Sequence, residues 1–389
     1  MLIKRSGYFN IVWQLAVIAS ISGIAFSGVE AIWAIYLNSF LRSEAAVGFI
    51  TAGLIVISIL SAFLLIPLLE KHSKIKVYSY SAAGIALGYL AFAFIGSFYV
   101  FLAVAIPFAI ARMLYFISFG IILRDQSDIR EIGKAEGLRY ALENLGWIFG
   151  PLLAGFLLRY YGFSPVFLMA AILLIIALVV FRYIAGLKDL IHAKEIHPDF
   201  WKNVKAYFEN RELVKIYLVS GGIGWWWSVI FIYLPLFILK NNLDEAAVGI
   251  FLFLVSTPLL LEYLIGKTAD KTGFKIFLTA GFSLLAIFSL LAFALENVYA
   301  ILLAFVLASF GAACIESTRE SYFFRIISEA DEERFYPAYL TCHPVLSAAG
   351  NFATALILLF LPFKFAFLGL SLSMLFFAFL SSRLKERMS

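Results

Sequence analysis

Eight ionisable residues stand inside stretches that are otherwise apolar: Glu30, Arg112, Glu143, Glu262, Glu316, Arg319, Glu320 and His343. A charge at the centre of a bilayer costs at least ~2.5–3.5 kcal/mol, so such groups turn toward protein or trapped water and take partners. These residue types can do proton chemistry. A carboxylate beside an arginine stays ionised; one that loses its arginine and its water takes up a proton. Arg112 lies 12 residues before Arg124, which places it about 18 Å from the end of its helix, near mid-depth. Glu30 stands about 10 Å from that height, a gap a long arginine side chain largely closes. Glu316 and Arg319 are neighbours at i, i+3, with Glu320 one turn beyond Glu316. Two acids and one base leave surplus negative charge. His343, a group that titrates near neutral pH, falls at a similar depth, as do Glu143 and, more loosely, Glu262. The cluster reads as a buried relay, as a packed ion-pair network, or as groups snorkelling to the helix ends.

Other chemistries lack their residues. There is no H-E-x-x-H, no nucleophile motif and no phosphate-cradling glycine loop followed by lysine. Cys314 and Cys342 sit in separate apolar stretches and form neither a disulfide framework nor a metal-spaced set. No cofactor or metal is expected, and a membrane-embedded enzyme is a remote alternative.

The elements that position these charges follow from composition. Of 389 residues, 63% are hydrophobic and 14% charged, against ~45–50% and ~25% in soluble domains. Too few polar residues remain to cover a water-facing surface, which excludes a soluble enzyme, a disordered chain and a nucleic-acid module. The chain reads as an all-α polytopic membrane protein. The run from Ile11 to Leu37 is too long for a signal peptide and lacks a small-residue cleavage site, so it reads as a span. Twelve spans are expected, at 10–37, 46–69, 76–96, 98–123, 135–158, 163–184, 213–239, 246–266, 275–295, 297–324, 336–361 and 363–382. With both termini cytoplasmic, the 30 lysines and arginines fall on the inner side, apart from Arg42, Arg159, Lys240 and Lys364 outside and Arg112 and Arg319 within spans. That bias sets the orientation and accounts for the positive net charge without nucleic acid.

The longest loop, 185–212, divides the spans six and six. The expected organisation is an N-terminal bundle at 1–184, this linker, and a C-terminal bundle at 213–389. Within the linker, Phe200, Val204, Tyr207 and Phe208 follow helical spacing after Pro198-Asp199, predicting a short amphipathic helix on the cytoplasmic membrane surface. The halves also repeat. Glu44-Ala-Ala-Val-Gly48 recurs as Glu245-Ala-Ala-Val-Gly249, 201 residues on (245 minus 44), and Gly23, Arg124 and Ser127 match Gly224, Arg325 and Ser328 at the same offset. Parallel six-span repeats imply pseudo-two-fold symmetry about the membrane normal and alternating access to a site near mid-depth.

On these residues the chain resembles the major facilitator superfamily. Gly266-Lys-Thr-Ala-Asp270-Lys271-Thr-Gly273-Phe-Lys275 matches the family's loop motif between spans eight and nine. Its first-half counterpart keeps Glu70 and Lys71 but has Ser73 for glycine. The resemblance implies that this loop cluster is a gate holding one access state; a charged turn that only fixes topology is the rival reading. It also implies that spans one, four and seven line a central cavity, and that Arg112 occupies a family arginine position. Gly146-x-x-x-Gly150-Pro151-x-x-Ala154-Gly155 resembles the span-five motif of the family's proton-coupled exporters. Its bare glycine face suits either a sliding helix or static close packing.

Trp225, Trp226 and Trp227 sweep about 200° of span seven, so Trp226 or Trp227 is expected to offer an aromatic wall to a lipophilic or cationic ligand. Glu143, Arg319, Glu320 and Asn351 join them as candidate cavity residues, with helix–helix hydrogen bonding the rival role for Asn351. Glu30, Arg112, Glu316 and His343 are the candidate proton or ion-coupling set. The expected function is a monomeric secondary transporter of the plasma membrane, a proton-coupled exporter of lipophilic or amphipathic molecules. The alternatives are a symporter or facilitator for sugars or organic anions, a lipid or lysolipid carrier, and a non-transporting sensor.

Overall fold

The computed structural model describes residues 2–125, 132–183 and 200–385. Among these the chain is all helix. In chain order the elements are α1 (Leu2–Leu41), α2 (Glu44–Lys71), α3 (Lys74–Phe92), α4 (Phe98–Asp125), α5 (Ile132–Tyr161), α6 (Phe163–Tyr183), α7 (Phe200–Glu209), α8 (Arg211–Ser228), α9 (Leu234–Lys240), α10 (Glu245–Ser256), α11 (Glu262–Thr272), α12 (Phe274–Ala294), α13 (Val298–Ile326), α14 (Glu329–Tyr339), α15 (Cys342–Phe360) and α16 (Lys364–Ser382). Ten helical runs among the described residues are long and apolar enough to cross a membrane. The expected third and fifth spans are not among the ten. The first turns of α3 carry Lys74 and Lys76, and the described part of α5 carries Glu143, Asn144 and Arg159, which dilute their apolar character.

Three expected spans are interrupted, each beside a proline. A proline has no N–H and its ring collides with the carbonyl four residues back. Span seven widens into a π-helical turn, Val229–Tyr233, just before Pro235. Span eight tightens into a 3-10 turn at Thr257–Leu261, around Pro258. Span eleven breaks between α14 and α15, with Pro337 inside α14 and Pro344 in the first turn of α15.

The chain forms two compact units. Unit 1 comprises Met1–Leu41, Val56–Glu195 and Asp244–Phe253; unit 2 comprises Arg42–Ile55, Ile196–Leu243 and Leu254–Ser389. In unit 1, α1 packs along α5 and α6, and α3 along α4 and α6. An aromatic core of Tyr36, Phe92, Phe101 and Phe167 holds them, pinned where the Tyr36 hydroxyl donates to the Phe92 carbonyl at 2.8 Å. In unit 2, α12 lies along α13 and α16, and α8 along α15, with Phe237, Phe305 and Phe363 around Phe367.

The repeated Glu-Ala-Ala-Val-Gly sequences are the pieces that each unit takes from the other half of the chain. The first lies in Arg42–Ile55 of unit 2, the second in Asp244–Phe253 of unit 1. Both glycines are there for want of space. A Cβ on Gly48 would run into the Tyr233 hydroxyl and lie 2.9 Å from Ala355. One on Gly249 would lie 2.7 Å from the Pro151 carbonyl. Each piece is also tied by charge: Glu44 to Lys240 at 2.7 Å in unit 2, and Asp244 to Arg159 in unit 1.

Candidate functional site

Unit 1 brings Glu30 and Arg112 together. α1 carries the acid, α4 the base, and their side chains meet at 2.5 Å. The guanidinium also lies over the rings of Phe26, one turn before Glu30, and Phe116, one turn after Arg112, at 5.6 and 5.8 Å. Cation–π attraction and the ion pair together hold a charge that hydrocarbon rejects. One turn along α4, Tyr115 donates to Ser22 of α1 at 2.8 Å and receives from Tyr78 of α3 at 3.3 Å. This chain of hydroxyls was not among the expected site residues. Its sequence signal is the three-residue step from Arg112 to Tyr115, which puts both on one helix face.

Unit 2 brings together Glu316, Arg319, Trp227, Glu320 and His343. Arg319 Nε donates to Glu316 at 2.7 Å. Trp227 Nε1 donates to the other Glu316 oxygen at 2.8 Å. Glu316 therefore spends one oxygen on a cation and the other on an indole, and Trp227 is an anchor for the acid as well as an aromatic surface. His343 is near enough to feel both Glu316 and Arg319 electrostatically. Glu320 takes the hydroxyl proton of Tyr336, from α14, in a hydrogen bond, a partner that sequence spacing did not suggest. Surplus negative charge is thus met by a phenol rather than by a second base.

Other expected site residues fall elsewhere. Glu143 belongs to unit 1, where its main chain and side chain crowd Gly23 of α1. Glu262 opens α11 beyond the 3-10 turn. Trp226 is fully buried, edge-on to Trp227, and lines no open surface of its unit. Trp225 instead walls an apolar groove of about 380 Å³ with Leu218, Leu346, Leu372, Ser373, Phe376 and Phe377. Asn351 is 1% exposed, inside the seam of α8 and α15. That position fits helix–helix hydrogen bonding, the rival role for this residue.

The motif residues have local reasons. Gly273 closes α11 and opens α12 at φ +101°, backbone that glycine adopts without a steric penalty. Gly266 is under no such constraint: a Cβ there would stand 3.7 Å from the Ser317 carbonyl of α13, an ordinary contact. Asp270 and Lys271 are exposed and Lys275 half-buried; no ion pair is made by Asp270 among the described residues. In the first half, Glu70 and Lys71 end α2. Ser73 has φ −55° and caps α3 through its hydroxyl, which accepts from the Lys76 N–H at 3.2 Å. The serine thus supports a different turn, one that needs a cap rather than left-handed backbone.

In α5, Gly146 and Gly150 press on α1. A Cβ on Gly146 would lie 2.7 Å from Ile24 N and the Ser20 carbonyl, and one on Gly150 would overlap the Ser27 hydroxyl. Ser27 uses the closeness to donate to the Gly146 carbonyl at 2.9 Å. Gly155, past the buried Pro151, presses on Gly249 of α10. Two of the three glycines thus serve close packing on α1, and the third receives the repeated segment.

The linker helix α7 forms as expected, and within its stripe Tyr207 faces protein. Tyr207 is fully buried against Tyr217 and Phe335, burial that pushes its phenol pKa up. Arg334 donates to Asn203 at 3.0 Å. Phe208 remains half exposed.

A sequence profile described as Major Facilitator Superfamily matches residues 15–259. No curated protein sequence matches the chain. Among solved structures the chain is similar to a POT family transporter in complex with 5-aminolevulinic acid (13% identity, 95% of each chain, TM-score 0.76). It is similar also to a mutant form of the nucleoside transporter NupG (14%, 97% of this chain and 100% of that one, 0.78). A third is the human organic anion transporter MFSD10 (16%, 96% and 99%, 0.70). At these identities the likeness is one of fold.

Proposed function

The chain belongs to the major facilitator superfamily, and from that premise we propose that it is a secondary transporter working by alternating access, coupled to protons and exporting lipophilic or amphipathic molecules. The observation that carries this reading is the Glu30–Arg112 pair within membrane-crossing helices. While Arg112 lies on Glu30 the acid has its counter-charge. A movement of α1 against α4 that separates them leaves an acid among apolar side chains, and it takes a proton from the side then open to water. Return of the guanidinium expels that proton on the other side. The Glu316–Arg319–His343 group offers a second place where charge changes with conformation. The proposal takes twelve spans as two six-helix bundles with both termini inside, the α11–α12 loop as a gate, and the plasma membrane as location. The resemblance of Gly146–Gly155 to the span-five motif of proton-coupled exporters supports the direction of transport, and the apolar groove beside Trp225 suits apolar cargo.

The test is flux in proteoliposomes under an imposed pH gradient. Efflux of an amphipathic fluorescent dye driven by inward proton movement is the expected result. Glu30→Gln, which cannot ionise, should retain dye binding and lose gradient-driven flux. Flux indifferent to the gradient, or unchanged in Glu30→Gln, overturns proton coupling at this residue. A symporter of organic anions is the second reading, favoured by Arg112 as a permanent cation; it predicts uptake in the same direction as protons.

A further inference from the structure

The first segment of span eleven is set apart from the rest. α14 and α15 meet at Leu340–Thr341, where the helix ladder thins. Leu340 N–H still reaches the Tyr336 carbonyl at 2.9 Å, but Thr341 N–H turns back only three residues, to Ala338 at 3.2 Å. Pro344 brings no N–H to the Leu340 carbonyl. The junction is patched by side chains. The Thr341 hydroxyl donates to the Ala338 carbonyl at 2.7 Å and shares a hydrogen bond of 2.8 Å with the Tyr217 hydroxyl of α8. Helices bend where proline interrupts the ladder in this way.

α14 is held down from two directions. Toward α13, Tyr336 donates to Glu320, and Tyr339 stacks on Phe323 with ring centroids 4.0 Å apart. Toward the linker helix α7, Arg334 donates to Asn203 at 3.0 Å, and Phe335 meets the Tyr207 ring edge-on at 5.8 Å. The same Tyr207 ring meets Tyr217 of α8 edge-on at 6.0 Å. α7 thus packs on both α14 and α8, with Tyr207 as the wedge and Tyr217 reaching the junction itself.

One group is left out of this packing. The Tyr207 hydroxyl is buried and meets no partner among the described residues. A buried hydroxyl without a hydrogen bond carries a penalty that water removes once the contact opens. Ring contacts and one polar bond therefore hold α7 closed against a standing cost. Behind it lies Cys342, 1% exposed, close enough to Tyr207, Arg319 and Glu320 to interact electrostatically with each.

We propose that α14 is a hinged lid over the Glu316, Arg319, Glu320 and His343 group, and that the linker helix α7 is its latch. Lifting about Leu340–Thr341 takes Tyr336 off Glu320 and Tyr339 off Phe323, hydrates the Tyr207 hydroxyl and lets water reach the buried charges. Because α7 belongs to the segment that joins the two halves of the chain, the state of that segment sets how often the lid opens.

Cys342 is the reporter. The full-length protein carrying Cys314→Ser keeps this one thiol, and its rate of reaction with a water-soluble maleimide in lipid nanodiscs measures opening. Tyr336→Phe should raise the rate about tenfold or more, the scale of one lost hydrogen bond to a charged group. Tyr207→Ala, which removes the wedge, should raise it to a similar degree. Tyr207→Phe keeps the ring, drops the unpaired hydroxyl and should lower it. Ser27→Ala weakens the contact of α1 with α5 in unit 1 and should leave it unchanged. Rates unmoved in Tyr336→Phe and Tyr207→Ala overturn the lid. A rise in Ser27→Ala equal to theirs overturns it too, by assigning exposure of Cys342 to unfolding of the whole protein. A rate in Tyr207→Phe no lower than that of the parent overturns the part given to the hydroxyl. If Tyr207→Ala does not fold, Tyr336→Phe and Tyr207→Phe decide. Thiol reactivity is read without transport, so the result stands whether or not Glu30 couples protons.

Discussion

Arg112 shows what a single residue type adds. Its guanidinium reaches Glu30 while lying over two aromatic rings; a lysine ammonium offers charge without the plane. Arg112→Lys should keep the fold and slow gradient-driven flux about tenfold or more, a loss of about 1.4 kcal/mol at the transition state, read from initial rates in vesicles. Trp227 makes a complementary case. Trp227→Phe removes one of two hydrogen bonds on Glu316 and keeps the ring packing on Trp226 and Phe231. A hydrogen bond to a charged group is worth about 1.5–3 kcal/mol. Thermal unfolding should show a loss of that order, with Trp227→Ala losing more.

Helices in this chain are limited by backbone room at a few points. Gly150 faces Ser27 and the Ile24 carbonyl with no space for a methyl group. Gly150→Val should destabilise by about 1–3 kcal/mol or more as α5 is forced from α1, measurable as a lower Tm and poorer yield of folded protein. Gly273→Ala acts differently, through the backbone itself. A φ of +101° strains any residue with a Cβ, at about 1–3 kcal/mol. At the matching turn of the first half, Ser73→Ala should cost about 1 kcal/mol through loss of the cap. The Glu44–Lys240 pair is half exposed, so Lys240→Gln should move Tm little, as exposed pairs contribute about 0–1 kcal/mol.

The proposed orientation of the whole molecule rests on its basic residues, and labelling can read it. Cys314 and Cys342 are the native thiols; with both changed to serine, single cysteines report on single loops. Asn241→Cys, between α9 and α10, should react with a membrane-impermeant maleimide on intact cells. Thr272→Cys, beside the α11–α12 turn, should react only after permeabilisation. The reverse pattern inverts the topology and moves the proposed gate to the outer face.

Most helix edges were legible in the sequence within a few residues, because apolar length is a local property; α1, which starts at Leu2, and α11, which runs on to Thr272, continue past the expected apolar edges because polar residues also extend a helix. So were the buried charges, since a carboxylate in an apolar run stands out wherever it points. Pro235 and Pro258 were equally visible, yet whether a proline kinks, widens or tightens a helix depends on what packs beside it. The pairing of Glu30 with Arg112, the indole on Glu316, the phenol on Glu320 and the closed seam around Asn351 join residues that lie up to 123 positions apart. The repeated Glu-Ala-Ala-Val-Gly segments were readable as a repeat; that each is packed into the compact unit of the other half was decided by tertiary contact alone. Chemistry along the chain dictates where helices form and which groups need partners, and only the packing of one helix face on another, which no local pattern encodes, chooses those partners.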